Sequence, residues 1–366
     1  MIDAEYKFGA FVPKVPSLYR NASIETNAVA GDDRCAIGGE WTKLPLLSIT
    51  EYNDDTSLFE FQLPITQNNN KFLNLSLCGH LLVRSKELEH DGSTQAVRPY
   101  TSISHPTTKG SFTLMVKKYR KWGMTEKELK ESSKVFLFVN TNHSYKPAGL
   151  VSNWIHSLKI GDFCEFKHTK DCLGRISYPF EKKITSITMI AVGAGIAPML
   201  RIIRELLESD TESAKQIKTI RLLYGARTVK DILQKQMLDN WHDKEKQKHS
   251  TNDSTTSSSR FRVMYCVGSR WQNVHFGAKN QSEYQAPPLP IDYDSIPDDR
   301  KDLGWVTIEK IEKYSASTPD DTGHRIFVCG LPGVYMTLCG RRDDPKLSTD
   351  SQLYRLGYRD EQVIKF

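Results

Sequence analysis

The chain has no run of roughly 18 apolar residues, the length a helix needs to cross a bilayer, so no integral membrane segment is expected. Its opening residues lack an apolar stretch and carry Asp3 and Glu5, which fits neither a secretory signal nor a mitochondrial presequence. Cys-x-x-Cys pairs are missing as well: the seven cysteines are scattered and odd in number. That spacing indicates neither a structural zinc site nor a disulfide framework, and no metal is expected. Reduced thiols in an intracellular, reducing compartment, cytoplasmic or mitochondrial-associated, are the expectation. There is no internal repeat, and no basic stretch interleaved with aromatics, so nucleic-acid binding is not expected.

What is present is ordinary globular material. Hydrophobic residues make up 39% of the 366, aromatics 10% and charged residues 26%, enough apolar content for real cores. The length suggests two domains, read as a monomer. The net charge of +6 is uneven, since Leu44 to Lys183 hold 19 Lys/Arg against 14 Asp/Glu. An excess in one half permits an acidic partner there.

Residues 1–43 show no sustained period and read as a largely irregular N-terminal extension. From 44 to 183 short alternating apolar runs, such as Leu58–Leu63, His80–Val83 and Ser111–Val116, predict an antiparallel β-barrel or sandwich, taken as a barrel. A helix over Val151–Leu158 interrupts it. From 184 to 366 the pattern becomes a parallel-sheet α/β domain of Rossmann-like type. Strands are expected at Ile187–Val192, Thr219–Tyr224, Arg262–Val267 and His324–Cys329, with helices over Pro198–Glu208 and Val229–Trp241. Three surface insertions are read: Arg120–Lys146, a disordered polar tract at 243–259, and a Pro/Tyr/Asp-rich segment at 271–302.

Four segments carry chemistry. Gly193-Ala194-Gly195-Ile196-Ala197-Pro198 joins a strand to a helix, and such a turn lets backbone amides approach a phosphate. A tight turn with no ligand has the same look. A second turn, Cys329-Gly330-Leu331-Pro332-Gly333, ends a later strand, and both would lie on the carboxyl edge of the sheet. Arg98-Pro99-Tyr100-Thr101-Ser102-Ile103-Ser104 offers a guanidinium fork for a diphosphate, a ring for a flat heterocycle, and hydroxyls for its polar edge. A plain strand with an exposed arginine would read similarly. Gly149-Leu150-Val151-Ser152 opens a helix whose amides suit a second phosphate.

In that order these motifs resemble ferredoxin reductase-type flavoproteins, in particular the NADH–cytochrome b5 reductase branch, from about Leu44 to the last residue. Val116-Lys117-Lys118-Tyr119, Tyr178-Pro179-Phe180, Lys230-Asp231-Ile232-Leu233 and the aromatic ending at Phe366 extend the likeness. The resemblance implies that Arg98, Tyr100, Thr101 and Ser104 hold FAD, with Thr101 near the reactive flavin nitrogen. It implies that Val116, Lys117 and Tyr119 line the flavin and its diphosphate, together with Gly149, Leu150, Val151 and Ser152. Gly193, Gly195, Ala197, Cys329, Gly330, Pro332 and Phe366 would receive the nicotinamide nucleotide. Thr101 and Cys329 are the catalytic candidates, although Cys329 also reads as a packed thiol at a strand end. The implied activity is hydride transfer from NADH or NADPH to FAD, then single-electron transfer to an acidic haem protein such as cytochrome b5. Lys117, Lys118, Arg120 and Lys121 would form the docking surface, or else a solvated strand end.

The sequence departs from that family at Ala194, Ala197 and Gly333, where hydroxyls or a proline are usual, and in its long insertion at 120–146. It also lacks the acid that follows the third strand of the nucleotide domain. Gly268-Ser269-Arg270 stands there, and Ser269, Arg270 and Arg227 are groups that suit a 2′-phosphate, pointing to NADPH. Two alternatives accompany the leading one. One is a reductase of the same fold for an iron–sulfur protein, quinone or haem; the other is a flavin-binding assembly protein without turnover.

Overall fold

Alternating apolar residues in the first half and unbroken apolar strands in the second produce two different sheets. The computed structural model describes residues 35–64, 71–89, 92–119, 149–250, 259–268 and 289–366. The first sheet contains β1 (Thr42–Asn53), β2 (Thr56–Gln62), β3 (Leu81–Leu88), β4 (Gln95–Tyr100), β5 (Ser111–Lys117) and β6 (Phe163–Lys167), in the order β4-β3-β6-β1-β2-β5. Every pairing in it is antiparallel. β1 is long enough to serve both halves: its first residues pair with β6 and, beyond Leu46, it pairs with β2. A bridge from Ser102 to Leu114 links the two edges, closing the sheet into a barrel. Phe61, Phe112 and Phe166 fill its interior with centroid separations of 4.9–5.8 Å, and the helix Leu150–Ile155 plugs one end with Val151 and Ile155.

The second sheet is parallel: β7 (Ser186–Val192), β8 (Thr219–Ala226), β9 (Phe261–Val267), β10 (Lys301–Leu303), β11 (His324–Cys329) and β12 (Val363–Lys365), in the order β10-β9-β8-β7-β11-β12. The chain builds outward from β7 to β10 and then returns to lay β11 on the other side of β7. The strand order therefore reverses between β7 and β11, the place where open parallel sheets leave a crevice beyond their carboxyl ends. The helix Ile196–Glu208 covers one face with Ile196, Met199, Leu200, Ile202, Ile203 and Leu206, all at most 1% exposed.

Three sequence expectations are corrected. The helix expected over Val229–Trp241 begins later, because Val229–Asp231 form a 3-10 turn and Gln234 takes a φ of 58°, outside the helical region. It then runs over Lys235–Ser250, so the tract expected to be disordered is helical up to Ser250; residues 251–258 lie outside the described residues. Buried His242 and Glu245, and an Asp243–Arg300 ion pair of 2.5 Å, tie that polar run to the domain. The segment 271–302 is not wholly an insertion, since its end supplies β10, the sixth strand, paired to β9 from Tyr265 to Val267. Residues 1–34, 120–148 and 271–288 lie outside the described residues, so most of the N-terminal extension and of the insertions do too. β1 begins at Thr42, just inside the segment read as irregular.

Candidate active site

The two glycine turns meet. β7 and β11 run parallel with Ala191 beside Cys329, so the turn Gly193–Gly195 and the Cys329-Gly330 turn leave the sheet side by side. Gly195 packs so closely that a Cβ there would lie 2.3 Å from the Cys329 carbonyl oxygen, a contact only glycine permits. Gly193 has a φ of 56° and nothing within 4 Å of where its Cβ would point, so this turn opens onto free space. Tyr224 of β8 fixes it from below: its hydroxyl donates to the Gly193 carbonyl at 3.0 Å and accepts from the Leu233 amide at 3.0 Å. Sequence reading missed Tyr224, which lies in an otherwise unremarkable strand. Pro332 takes the first turn of the helix Pro332–Leu338, where its missing N–H leaves nothing unsatisfied. Ala197 is buried in the core rather than facing the crevice, and Phe366 packs its ring at 5.4 Å from Phe327.

Across the crevice stands the barrel. Met115 of β5 shares a buried cluster with Ile196 and Ala197, and Val116 faces the barrel interior. Tyr119 follows, with its carbonyl accepting from the Gly149 amide at 2.9 Å and from Asn153 Nδ2 at 2.8 Å. Burial pushes its phenol up to about 12, and the charges of Asp55 from the barrel half and Arg227 from the sheet half act on it. Burial also raises Tyr100, whose neighbours include Tyr119 and Arg98. Thr101 lies where β4 runs into the Ser102–Leu114 bridge. Leu150, Val151 and Ser152 form the first turn after Gly149, with Val151 and Ser152 buried.

Other expected residues have different company. Arg98 closes a fork on Glu89, Nη1 at 2.5 Å and Nη2 at 3.0 Å from its two carboxylate oxygens. That carboxylate stands in for an anion with paired oxygens, so the fork fits the diphosphate of FAD. Ser104 Oγ accepts from the Thr113 amide at 2.6 Å, fastening β5. Lys117 is buried between Asp55 (2.6 Å) and Asp231 (2.8 Å), and Arg227 joins the same carboxylates at 3.4 and 3.6 Å. Burial would raise Asp231, but Lys117 and Arg227 outweigh it and hold its carboxyl below the ordinary range. Lys117 is therefore not part of an exposed docking face; Arg120 and Lys121 lie outside the described residues, as do Ser269 and Arg270. Among the described residues no group of three or more His, Cys, Asp or Glu is placed to hold a metal.

Two glycine turns over a parallel-sheet switch point, opposite a barrel bearing an Arg-x-Tyr-Thr strand, agree with family comparison. Residues 43–178 match the oxidoreductase FAD-binding domain and residues 189–269 the oxidoreductase NAD-binding domain. The chain belongs to the ferredoxin reductase-type flavoprotein oxidoreductases. Among curated relatives, this oxidoreductase is 27% identical to NADH-cytochrome b5 reductase 2 of Coccidioides immitis, over 90% of this chain and 79% of that protein. It is 26% identical to the protein of the same name from Yarrowia lipolytica, over 93% and 89%. Its fold resembles the cytochrome b5 reductase domain of Ulva prolifera nitrate reductase, with a TM-score of 0.56 at 19% identity, covering 89% of this chain and 97% of that one. No helix among the described residues of this oxidoreductase is long and apolar enough to cross a membrane.

Proposed function

We propose that this oxidoreductase passes a hydride from NADH or NADPH to FAD and then gives single electrons to a haem protein such as cytochrome b5. The observation that carries this reading is the contact of the two glycine turns at the carboxyl edge of the parallel sheet. Residues 44–183 are assigned as the FAD-binding half and 184–366 as the NAD(P)-binding half. FAD supplies the conversion of a two-electron hydride donor into one-electron steps. The protein holds and orients. Arg98 takes the diphosphate, Tyr100 and Tyr119 pack along the flavin, and Thr101 addresses its polar edge. Gly193 leaves room for the nucleotide, and Cys329 borders the nicotinamide. All seven cysteines are free thiols, which suits a reducing compartment.

The acceptor is less constrained than the donor side. Lys117 is neutralised inside the protein, which weakens the case for an acidic partner docking there and favours keeping a second reading, the same reductase serving an iron–sulfur protein, quinone or haem. Purified protein should be yellow, and anaerobic NADH or NADPH should bleach it within seconds; yellow protein that neither nicotinamide bleaches would refute turnover. A panel of acceptors offered to the reduced protein then separates the two readings.

For the donor, NADPH is expected to serve at least comparably with NADH. Gly268 has a φ of 133°, a backbone that an L side chain adopts only with strain, so the absent acid is not simply waiting to be restored. Arg227 remains mostly exposed although Asp55 and Asp231 share its charge. Comparing kcat/KM for the two donors tests this; a preference for NADH above ~100-fold, about 2.7 kcal/mol, would overturn it.

A further inference from the structure

The stretch Lys230-Asp231-Ile232-Leu233 and the Gln234 that follows it lie where the β1–β2 hairpin meets the sheet half. Two consecutive amides there are held by tyrosines from opposite halves. The Leu233 amide donates to the Tyr224 hydroxyl at 3.0 Å, and the Gln234 amide to the Tyr52 hydroxyl at 2.7 Å. Tyr224 belongs to β8 of the sheet and is fully buried, whereas Tyr52 belongs to β1 of the barrel. Just upstream, Asn53 Nδ2 donates to the Lys230 carbonyl at 2.8 Å. Gln234 has a φ of 58°, a left-handed backbone that such a residue keeps only where its surroundings hold it. The Tyr52 hydroxyl on its amide is such a hold.

A phenol has one proton to give and lone pairs to receive. In Tyr224 the proton goes to the Gly193 carbonyl at 3.0 Å, and the oxygen receives the Leu233 amide. One hydroxyl therefore spaces the Leu233 segment from the first glycine turn. The same Gly193 carbonyl accepts the Ile196 amide that closes the turn. Because a peptide is planar and trans, aiming the Gly193 carbonyl at Tyr224 turns the Ala194 amide the opposite way.

We propose that Tyr224 is a positioning residue for the nicotinamide-nucleotide turn, steadied from the barrel by Tyr52 through the relay Tyr52–Gln234–Leu233–Tyr224–Gly193. Nucleotide affinity is thereby tied to the docking of the barrel hairpin. The proposal rests on the reading that the Gly193 turn receives the nucleotide. A residue that shapes this turn away from the reacting atoms acts on binding and leaves the chemical step alone. A general packing role would lower flavin content and reduction rate as well.

The test titrates oxidised holoprotein with NAD⁺ and NADP⁺, and follows flavin reduction by NADH in anaerobic rapid mixing. Tyr224→Phe keeps the ring, strands the Leu233 amide and releases the Gly193 carbonyl. It should raise both Kd values about fivefold, the worth of one neutral hydrogen bond, at parent flavin content and parent limiting rate. Tyr52→Phe should raise them about threefold. The double variant should match Tyr224→Phe alone, because the relay is already cut. Losses that multiply, or parent Kd values in Tyr52→Phe, overturn the relay. A limiting rate or flavin content that falls along with affinity overturns the positioning role. Gly193→Asn examines the underlying reading, since asparagine tolerates the left-handed backbone and its side chain enters the free space. Parent Kd values in that variant would remove the nucleotide from this turn. Weak binding there with parent values in Tyr224→Phe would keep the site and overturn the proposal. Should Tyr224→Phe fail to fold, the half-buried Tyr52→Phe decides alone. A raised Kd at the parent limiting rate supports the proposal, and an unchanged Kd overturns it.

Discussion

Arg98 meets one anion from its own chain before it meets any other. The Glu89 carboxylate fills its fork, and both side chains are partly exposed, at 46% and 27%. An exposed pair of this kind is worth about 1 kcal/mol or less, so a diphosphate with more charge can displace it. Two opposite results follow for FAD binding to the apoprotein, followed by flavin fluorescence. Arg98→Ala should largely abolish binding, whereas Glu89→Gln should tighten it by up to about fivefold, the competitor having lost its charge. FAD affinity unchanged in Arg98→Ala would return Arg98 to the standing of a strand-edge cation. The difference between these two residues also marks what the sequence could reveal. Arg98, Tyr100, Gly193, Gly195 and Cys329 stand in short motifs whose local geometry follows from residue type. Glu89 and Tyr224 act through contacts that no spacing announces. Lys117 was misread for the same reason, because the two carboxylates that hold it lie 62 and 114 residues away in the chain.

Among the elements, strands were the most legible, since their apolar runs are buried on one or both faces. The helix Lys235–Ser250 was not, because its second half is nearly all charged and polar and is ordered by tertiary partners. β10 escaped notice as a three-residue strand at the end of a long irregular segment. β11 carries a prediction of its own at its opposite end from the site. His324 there is fully buried, its Nε2 at 2.9 Å from Thr188 Oγ1 of β7. Burial lowers its pKa from the ordinary 6.5 to about 4, despite the opposing charge of Asp321. Between those values the unfolded chain holds a proton that the folded chain refuses, so stability rises with pH. This contribution is complete above about pH 6.5 and declines as pH falls toward 4, by at most about 1.4 kcal/mol per unit. Urea unfolding from pH 7 to 4 should show that slope, and His324→Gln should flatten it. An equal slope in both proteins would assign the acid sensitivity elsewhere.

At the scale of the whole molecule, two of the fastenings that join barrel and sheet stand out among the described residues. In one, the β1–β2 hairpin docks on the segment before Lys235: Asn53 Nδ2 donates to the Lys230 carbonyl at 2.8 Å, and the Gln234 amide donates to the Tyr52 hydroxyl at 2.7 Å. Lys117 sits in the same place. The other comes from the helix Ile196–Glu208. Arg201 donates to the carbonyls of Leu75 and Ser76 at 2.8 and 3.3 Å, and Arg204 to those of Ile103 and Ser104 at 3.3 and 3.4 Å. Both arginines are nine-tenths buried or more, and burial lowers Arg201 to about 10, with Arg204 adding to the effect. Arg201→Met keeps the bulk but strands two acceptors, and should destabilise the protein by roughly 1–3 kcal/mol in urea unfolding. An unchanged midpoint would mean that water replaces the guanidinium there.

The acceptors in that second fastening are all main-chain oxygens. Such a grip reads the path of the backbone and is blind to the side chains it carries. As far as the arginines are concerned, the barrel segments around residues 75 and 103 can drift in composition over evolutionary time provided that their course is kept; only Leu77, Cys78 and Ile103, which pack their side chains on the core of the sheet half, are tied by type. The arginines have no such freedom. A graft that keeps Leu77, Cys78 and Ile103 but replaces the other residues of those segments on the same backbone path should leave the halves joined, whereas moving either arginine by a single position along its helix should not.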